Sequence, residues 1–295
     1  MDMKNAYIAL ALLLVVAGCN KNDVPSAGSA PDGDSIVFSV EDVAPDASFH
    51  TKADVVETLD SFDVGCVTGS LGSSETEVWY ATFTSDGKAI PTYFGDKFWP
   101  LSDAGYKFVG SNVAMTHTPS GYTVSATSDT DVVCAVLPDP GYRVKNTLSF
   151  HHVFARLGEV EVAAAPGYEV SGVSVTIVPL TGGTYDVVSG DGKTDGTGWS
   201  SLVTGTAVEI APSVPGTRVN DVFLVPGVYE LTATWTATRG DFTKTYVGRR
   251  QEVRLVGGYV NKLTSTLGGD AVEISVGVSV TPWDSVTTEV NFPFD

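Results

Sequence analysis

Val272, Ile274, Val276, Val278 and Val280 alternate without a break with Glu273, Ser275, Gly277, Ser279 and Thr281. A period of two places every apolar side chain on one face of an extended strand, because neighbours in a strand point to opposite sides. Pro282 and Trp283 interrupt the run. Then Val286, Thr288, Val290, Phe292 and Phe294 alternate with Thr287, Glu289, Asn291 and Pro293. No other pattern in the chain limits the possible folds so tightly. Two one-sided strands need sheets to join and a second layer to cover their apolar faces. The strand over 286–294 has two ways to cover its face: it completes the chain's own sandwich, or it adds to the sheet of another molecule.

The same pattern runs upstream. Ile36, Phe38 and Val40 alternate with polar or smaller neighbours, and Phe62, Val64 and Cys66 share a strand face. Further strands are expected over 78–83, 96–99, 106–109, 122–125 and 131–137, with turn signals such as Ser-Asp-Gly and Pro-Ser-Gly between them. The cluster Pro138-Asp139-Pro140-Gly141 marks a domain boundary. Beyond it, 148–162 reads as one long strand or two joined by a bulge. Strands over 172–178, 185–189, 207–210, 229–236, 246–254 and 259–267 follow. The word GVSVT occurs at 172–176 and again at 277–281, weak evidence for duplication. No run has the 3.6-residue period of a three-turn helix. The predicted class is all-β, with a β-sandwich domain over 35–146 and a second over 147–295.

The first 18 residues read as a secretory signal: Lys4, an apolar run from Ala6 to Val16 too short to span a bilayer, then Ala17-Gly18-Cys19. Val16-Ala17-Gly18-Cys19 resembles a bacterial lipobox, so Cys19 is expected to be acylated and to become the first residue of the mature chain. Residues 19–34, rich in Pro, Gly and Ser, read as a flexible tether behind that lipid. Asn20-Lys21-Asn22-Asp23 loosely resembles the tag that sends lipoproteins to the outer face of an outer membrane.

The chain carries 35 acidic and 17 basic residues, a net charge of −18. Such a surface repels nucleic acid and anionic headgroups and discourages loose self-association. Cys66 and Cys134 each lie in an expected strand. In an oxidising compartment they form a disulfide or remain buried thiols, and both stay open.

His151 and His152 are adjacent and therefore diverge in a strand, so one metal cannot easily take both. His152 falls on a mainly apolar even face with Leu148, Phe150, Phe154, Arg156 and Val160, and His151 on a wetter odd face. A packing role for His152 and exposure for His151 follow, with no metal, cofactor or catalytic residue expected. Asp129 and Asp131 share a face but have no visible partner. The Gly192-Lys193-Thr194 triplet lacks the first glycine of a P-loop, which falls at Val187. Tryptophans 79, 99, 199, 235 and 283 could stack on sugars, but their strand settings favour core packing. Nothing in these residues indicates an enzyme.

Taken in order, these features resemble the fimbrillin-like surface lipoproteins, the subunits of type V fimbriae. They are the lipobox at Cys19, the extended segment before Ser61-Phe62-Asp63-Val64, the Phe98-Trp99-Pro100 block, the signature Phe150-x-His152-x-Phe154-Ala155-Arg156-Leu157, and a terminal alternating strand after Pro282-Trp283. The resemblance implies two tandem β-sandwiches of transthyretin-like, Greek-key type and a structural histidine at 152. It implies export as an outer-membrane lipoprotein, lipid-anchored at the cell surface. Proteolysis then removes the first strand, here Ile36 to Val40. A donor strand over 285–295 from another subunit, the same or a paralogue, would fill the groove through Val286, Val290, Phe292 and Phe294. The family's cut follows arginine, whereas the first arginine here is Arg143. Lys52 is the basic residue placed to serve as the processing site. An uncut chain would instead be a fimbrial anchor, or a surface module binding a glycan or host ligand.

Overall fold

The computed structural model describes residues 38–40, 59–68, 78–84, 105–142, 146–210, 216–247, 251–267, 274–282 and 290–292. In chain order the first strands are β1 (Phe38–Val40), β2 (Ser61–Thr68), β3 (Tyr80–Thr84), β4 (Lys107–Ser111), β5 (Met115–Thr118), β6 (Gly121–Thr127), β7 (Val133–Leu137), β8 (Asn146–Leu148) and β9 (His151–His152). Then come β10 (Ala155–Ala164), β11 (Glu169–Ile177), β12 (Leu180–Asp186), a single helical turn α1 (Val187–Gly190), β13 (Trp199–Thr204), β14 (Val208–Glu209) and β15 (Gly216–Leu224). The last are β16 (Gly227–Arg239), β17 (Phe242–Val247), β18 (Gln251–Leu255), β19 (Tyr259–Leu267), β20 (Ile274–Pro282) and β21 (Val290–Phe292). The all-β class is as expected.

Two sandwiches account for nearly all of them. In the first, the sheet β3-β2-β4-β7-β9 faces the sheet β13-β12-β6-β5. Val109, Tyr122, Val124, Cys134, Phe154 and Tyr185 fill the layer between. Tyr122 ties the two sheets: its hydroxyl donates to the Trp79 carbonyl at 2.9 Å, and its ring lies where a side chain on Gly65 would have to go. The other face of the β2-β4-β7 sheet is buried too, under a cluster of Phe62, Val64, Phe83, Phe108 and Leu148. Burial on both faces explains the run of three consecutive buried residues at Val64–Cys66 in β2, where alternation fails.

In the second sandwich, the sheet β15-β10-β19-β20-β21 faces β14-β11-β16-β17, with β18 also paired to β16. Strand β16 shows how the sequence builds it: Tyr229, Leu231, Ala233, Trp235 and Ala237 are buried, and Glu230 and Thr232 between them are exposed. Those side chains meet Leu157, Val160 and Val162 of β10 and Leu263 and Leu267 of β19. The centre of the sheet is a parallel pair, β10 with β19.

The expected division at 146/147 cuts through shared sheets. Strands β12 and β13 lie beyond it in sequence, yet β12 pairs antiparallel with β6 and carries β13 at the sheet's edge. Likewise β9 pairs with β7. Phe223 and Val225, at the end of β15, belong to the first core, and the Val225 amide donates to the Leu180 carbonyl at 3.0 Å.

Candidate functional site

The segment from Phe150 to Arg156 is where the chain leaves one sandwich and enters the other. His151 and His152 pair with Cys134 and Val133 of β7. The Val153 amide still donates to the Val132 carbonyl at 3.0 Å. At Phe154 the allegiance changes: its carbonyl accepts from Gly258, at 2.8 Å, just before β19. From Ala155 on, β10 is laddered to β15 and β19, with a register shift after Leu157.

The bend corrects the single-face expectation. Phe150 packs edge-on against Phe62 in the outer cluster of the first sheet, ring centroids 5.6 Å apart. Phe154 lies in the inter-sheet core, 5.0 Å from Trp199 and 6.3 Å from Phe223. Arg156 is buried as well, but opposite Phe223 and Val260 in register rather than with Leu157 in the second core. Alternation holds only while the backbone stays extended, and Val153–Phe154 is not part of a strand.

His152 is 5% exposed and Asp131, which it meets, is 1% exposed. Its Nδ1 lies 3.0 and 2.9 Å from the two carboxylate oxygens, so Nδ1–H donates and the carboxylate accepts. Asn112 holds the acid's segment from behind: its side-chain amide donates to the Asp131 carbonyl at 2.8 Å and accepts from the Val133 amide at 2.9 Å. A buried carboxylate needs such partners, because leaving it without them costs several kcal/mol. The acid that the sequence left without a partner is thus the structural mate of the histidine. No group of three or more metal-ligating side chains occurs among the described residues.

His151 is partly buried rather than exposed. Its Nε2 accepts from the Gly192 amide at 3.1 Å, and the Tyr185 hydroxyl, which donates to the Gly190 carbonyl at 2.6 Å, lies 3.4 Å away. Burial, helped by the neighbouring His152, pushes its pKa down to about 4. The imidazole is therefore neutral at ordinary pH, as an acceptor nitrogen requires.

Cys66 and Cys134 are both buried and are not joined in a disulfide. They flank β4 on neighbouring strands but face opposite sides of the sheet, Cys66 into the outer cluster and Cys134 into the inter-sheet core, so their sulfurs point apart. Burial raises their pKa values to about 11 and about 12. Trp79 and Trp235 are buried and Trp199 is half-buried against Tyr185 and Phe154. Trp99 and Trp283 lie outside the described residues, as do Cys19, Lys52, Val286 and Phe294.

The first and last described strands, β1 and β21, are three residues long. β1 pairs in parallel with β8 alone, through Phe38, Ser39 and Val40 opposite Asn146, Thr147 and Leu148. Leu148 is fully buried in the outer cluster of the first sandwich. At the other end, β21 lies on the outer edge of the second sandwich and pairs with β20 through Val290, Asn291 and Phe292. The donor-strand candidates Val290 and Phe292 are therefore paired within their own chain.

No family model matches the chain, and no curated protein matches it. Several solved structures are similar. A Bacteroides uniformis protein named for cell adhesion is 17% identical, with TM-score 0.48, covering 86% of this chain and 100% of its own. A Bacteroides ovatus protein of the same naming is 12% identical, with TM-score 0.49, covering 86% and 98%. A fimbrial protein from Bacteroides vulgatus is 13% identical, with TM-score 0.45, covering 85% and 99%.

Proposed function

We propose that the chain is a non-enzymatic structural subunit of a cell-surface fimbria, exported as an outer-membrane lipoprotein through Cys19 and joined to its neighbours by strand exchange. The carrying observation is the pair of three-residue strands at the chain's two ends. Among the described strands β1 pairs only with β8. At about 1 kcal/mol net per hydrogen bond, its release costs only a few kcal/mol of ladder. What it uncovers is the edge of β8, whose Leu148 belongs to a buried apolar cluster, so an incoming strand would find both main-chain partners and an apolar seat. Lys52 follows β1 in sequence and precedes β2, so a cut there would release β1. A strand given by one subunit's end to the next subunit's first sandwich is a head-to-tail joint that does not close, and it extends into a filament.

A second reading, a surface lipoprotein that does not polymerise and acts as an anchor or ligand-binding module, is favoured by the home pairing of Val290–Phe292 on β20. Mild trypsin treatment of the purified chain separates the two. Loss of the segment up to Lys52 with SDS-resistant ladders, abolished by deleting 285–295, is the outcome for strand exchange. A cut chain that stays monomeric, or resistance at Lys52, removes the stalk-subunit role and leaves the second reading.

A further inference from the structure

The hairpin that joins β16 to β17 carries Arg239-Gly240-Asp241 at its tip. Arg239 and Phe242 are paired in register, so Gly240 and Asp241 alone make the turn. Gly240 has φ +60, while Asp241 is not among the described residues of positive φ. That combination is a type II′ turn, whose first central position favours glycine. Residues 239–242 are all exposed, and Phe242 is 83% exposed. The base of the hairpin is braced. Tyr168 and Tyr246 meet edge-to-face at 6.4 Å, Lys244 sits over the Tyr246 ring at 5.1 Å, and Thr238 and Thr243 share a hydroxyl hydrogen bond of 2.6 Å across the strands. The Arg239 guanidinium rests over Tyr168 at 5.4 Å, with Nη1 3.5 Å from its hydroxyl. An exposed contact of that kind is weak.

A guanidinium and a carboxylate separated by one glycine on a rigid turn fit a specific receptor chemistry. An acidic pocket takes the guanidinium through paired N–H donors. The carboxylate oxygen completes the coordination of a divalent cation held by the receptor. We propose that this turn is a ligand for a cation-dependent adhesion receptor of the integrin class. A turn alone would need Gly240 but not Arg239 before it, nor an exposed aromatic after Asp241, which supplies an apolar contact beside the carboxylate. An anionic polysaccharide fits less well. Asp241 stands in the middle of the patch, and the chain's charge of −18 opposes it. The proposal is independent of polymerisation, since a monomer presents the same tip.

The test is binding of the purified full chain to a purified integrin ectodomain that recognises Arg-Gly-Asp, in Mg²⁺ and in EDTA. Saturable binding is expected in Mg²⁺, lost in EDTA and competed by a short Arg-Gly-Asp peptide. Asp241→Glu keeps the charge and the turn but moves the carboxylate by one methylene, and should weaken binding at least about tenfold, as should Arg239→Gln. Thermal melts of both variants, unchanged from wild type, show that the fold is kept. Absence of saturable binding, binding that survives EDTA, or equal affinity for Asp241→Glu overturns the proposal. Binding that survives EDTA but falls in Lys244→Gln would identify charge-driven adsorption instead.

Discussion

Acid should loosen the junction between the sandwiches through His151. Its folded pKa, about 4, lies below the ordinary 6.5 because burial penalises the imidazolium and the adjacent His152 adds to that. Between those values the unfolded chain holds a proton on this residue and the folded chain does not. The stabilisation is therefore complete above about pH 6.5 and is lost as the pH falls toward and through 4. Linkage over that interval gives a loss on the order of 2–3 kcal/mol near pH 4.5 and almost nothing near pH 7.5. His151→Gln removes the titration while leaving an oxygen that can accept from the Gly192 amide. The experiment is urea unfolding of both proteins at the two pH values, followed by fluorescence of the five tryptophans. Carboxylates titrate alike in both and cancel in the difference. Relative to the variant, the wild type should lose on the order of 2–3 kcal/mol between the two conditions. A gap that stays constant within about 0.5 kcal/mol would mean that His151 carries its charge in the folded state, and the burial argument would be refuted.

Three further outcomes follow from the same geometry. Asp131→Ala removes the acceptor of His152 Nδ1 at a buried site and should cost about 2–3 kcal/mol in urea unfolding, with Asp131→Asn, which keeps an acceptor oxygen, costing less. Gly65→Ala drives a methyl group into the fully buried Tyr122 ring and should cost about 1–3 kcal/mol, read as a lower urea midpoint with an unchanged slope. With both thiols buried and their pKa values raised to about 11 and about 12, a thiol reagent at neutral pH should label Cys66 and Cys134 only after denaturation; rapid labelling of the native chain would contradict the packing.

What the sequence made legible is what local alternation encodes. The strands over 229–236 and 259–267 lie within β16 and β19, because a period of two is a property of consecutive residues and needs no partner to be read. The bend at Val153–Phe154 is not of that kind. Phe150 and Phe154 are both apolar, and both are covered, whichever sheet each joins; what separates them is the Gly258 amide, about a hundred residues further along, that captures the Phe154 carbonyl. Asp131 was hidden for a similar reason. Its neighbours in sequence offer it no mate, and its histidine lies on β9, about twenty residues further along. The placement of β12 and β13 in the first sandwich is likewise a choice of partner, and alternation says which face a strand buries without saying against whom.

That division between local pattern and distant partner bears on how a fibre made of such chains would carry tension. Between β8 in the first sandwich and β20 in the second, the backbone runs along the Phe150–Arg156 crossing into β10. β10 is held on both flanks, by seven register pairs to β15 and seven to β19. The end strands hold three pairs each, β1 on β8 and β21 on β20. In such a fibre the end ladders, with three described pairs each, would yield before β10 does. The His152–Asp131 pair adds to this: a buried hydrogen bond is directional, and it ties the residue just before the bend to the segment that leads into β7. Strength in the assembled fibre would then depend on what replaces the short home strands. The alternating run from Val286 to Phe294 is the segment that exchange would place on a partner's sheet, and among its described residues Val290, Asn291 and Phe292 pair with β20.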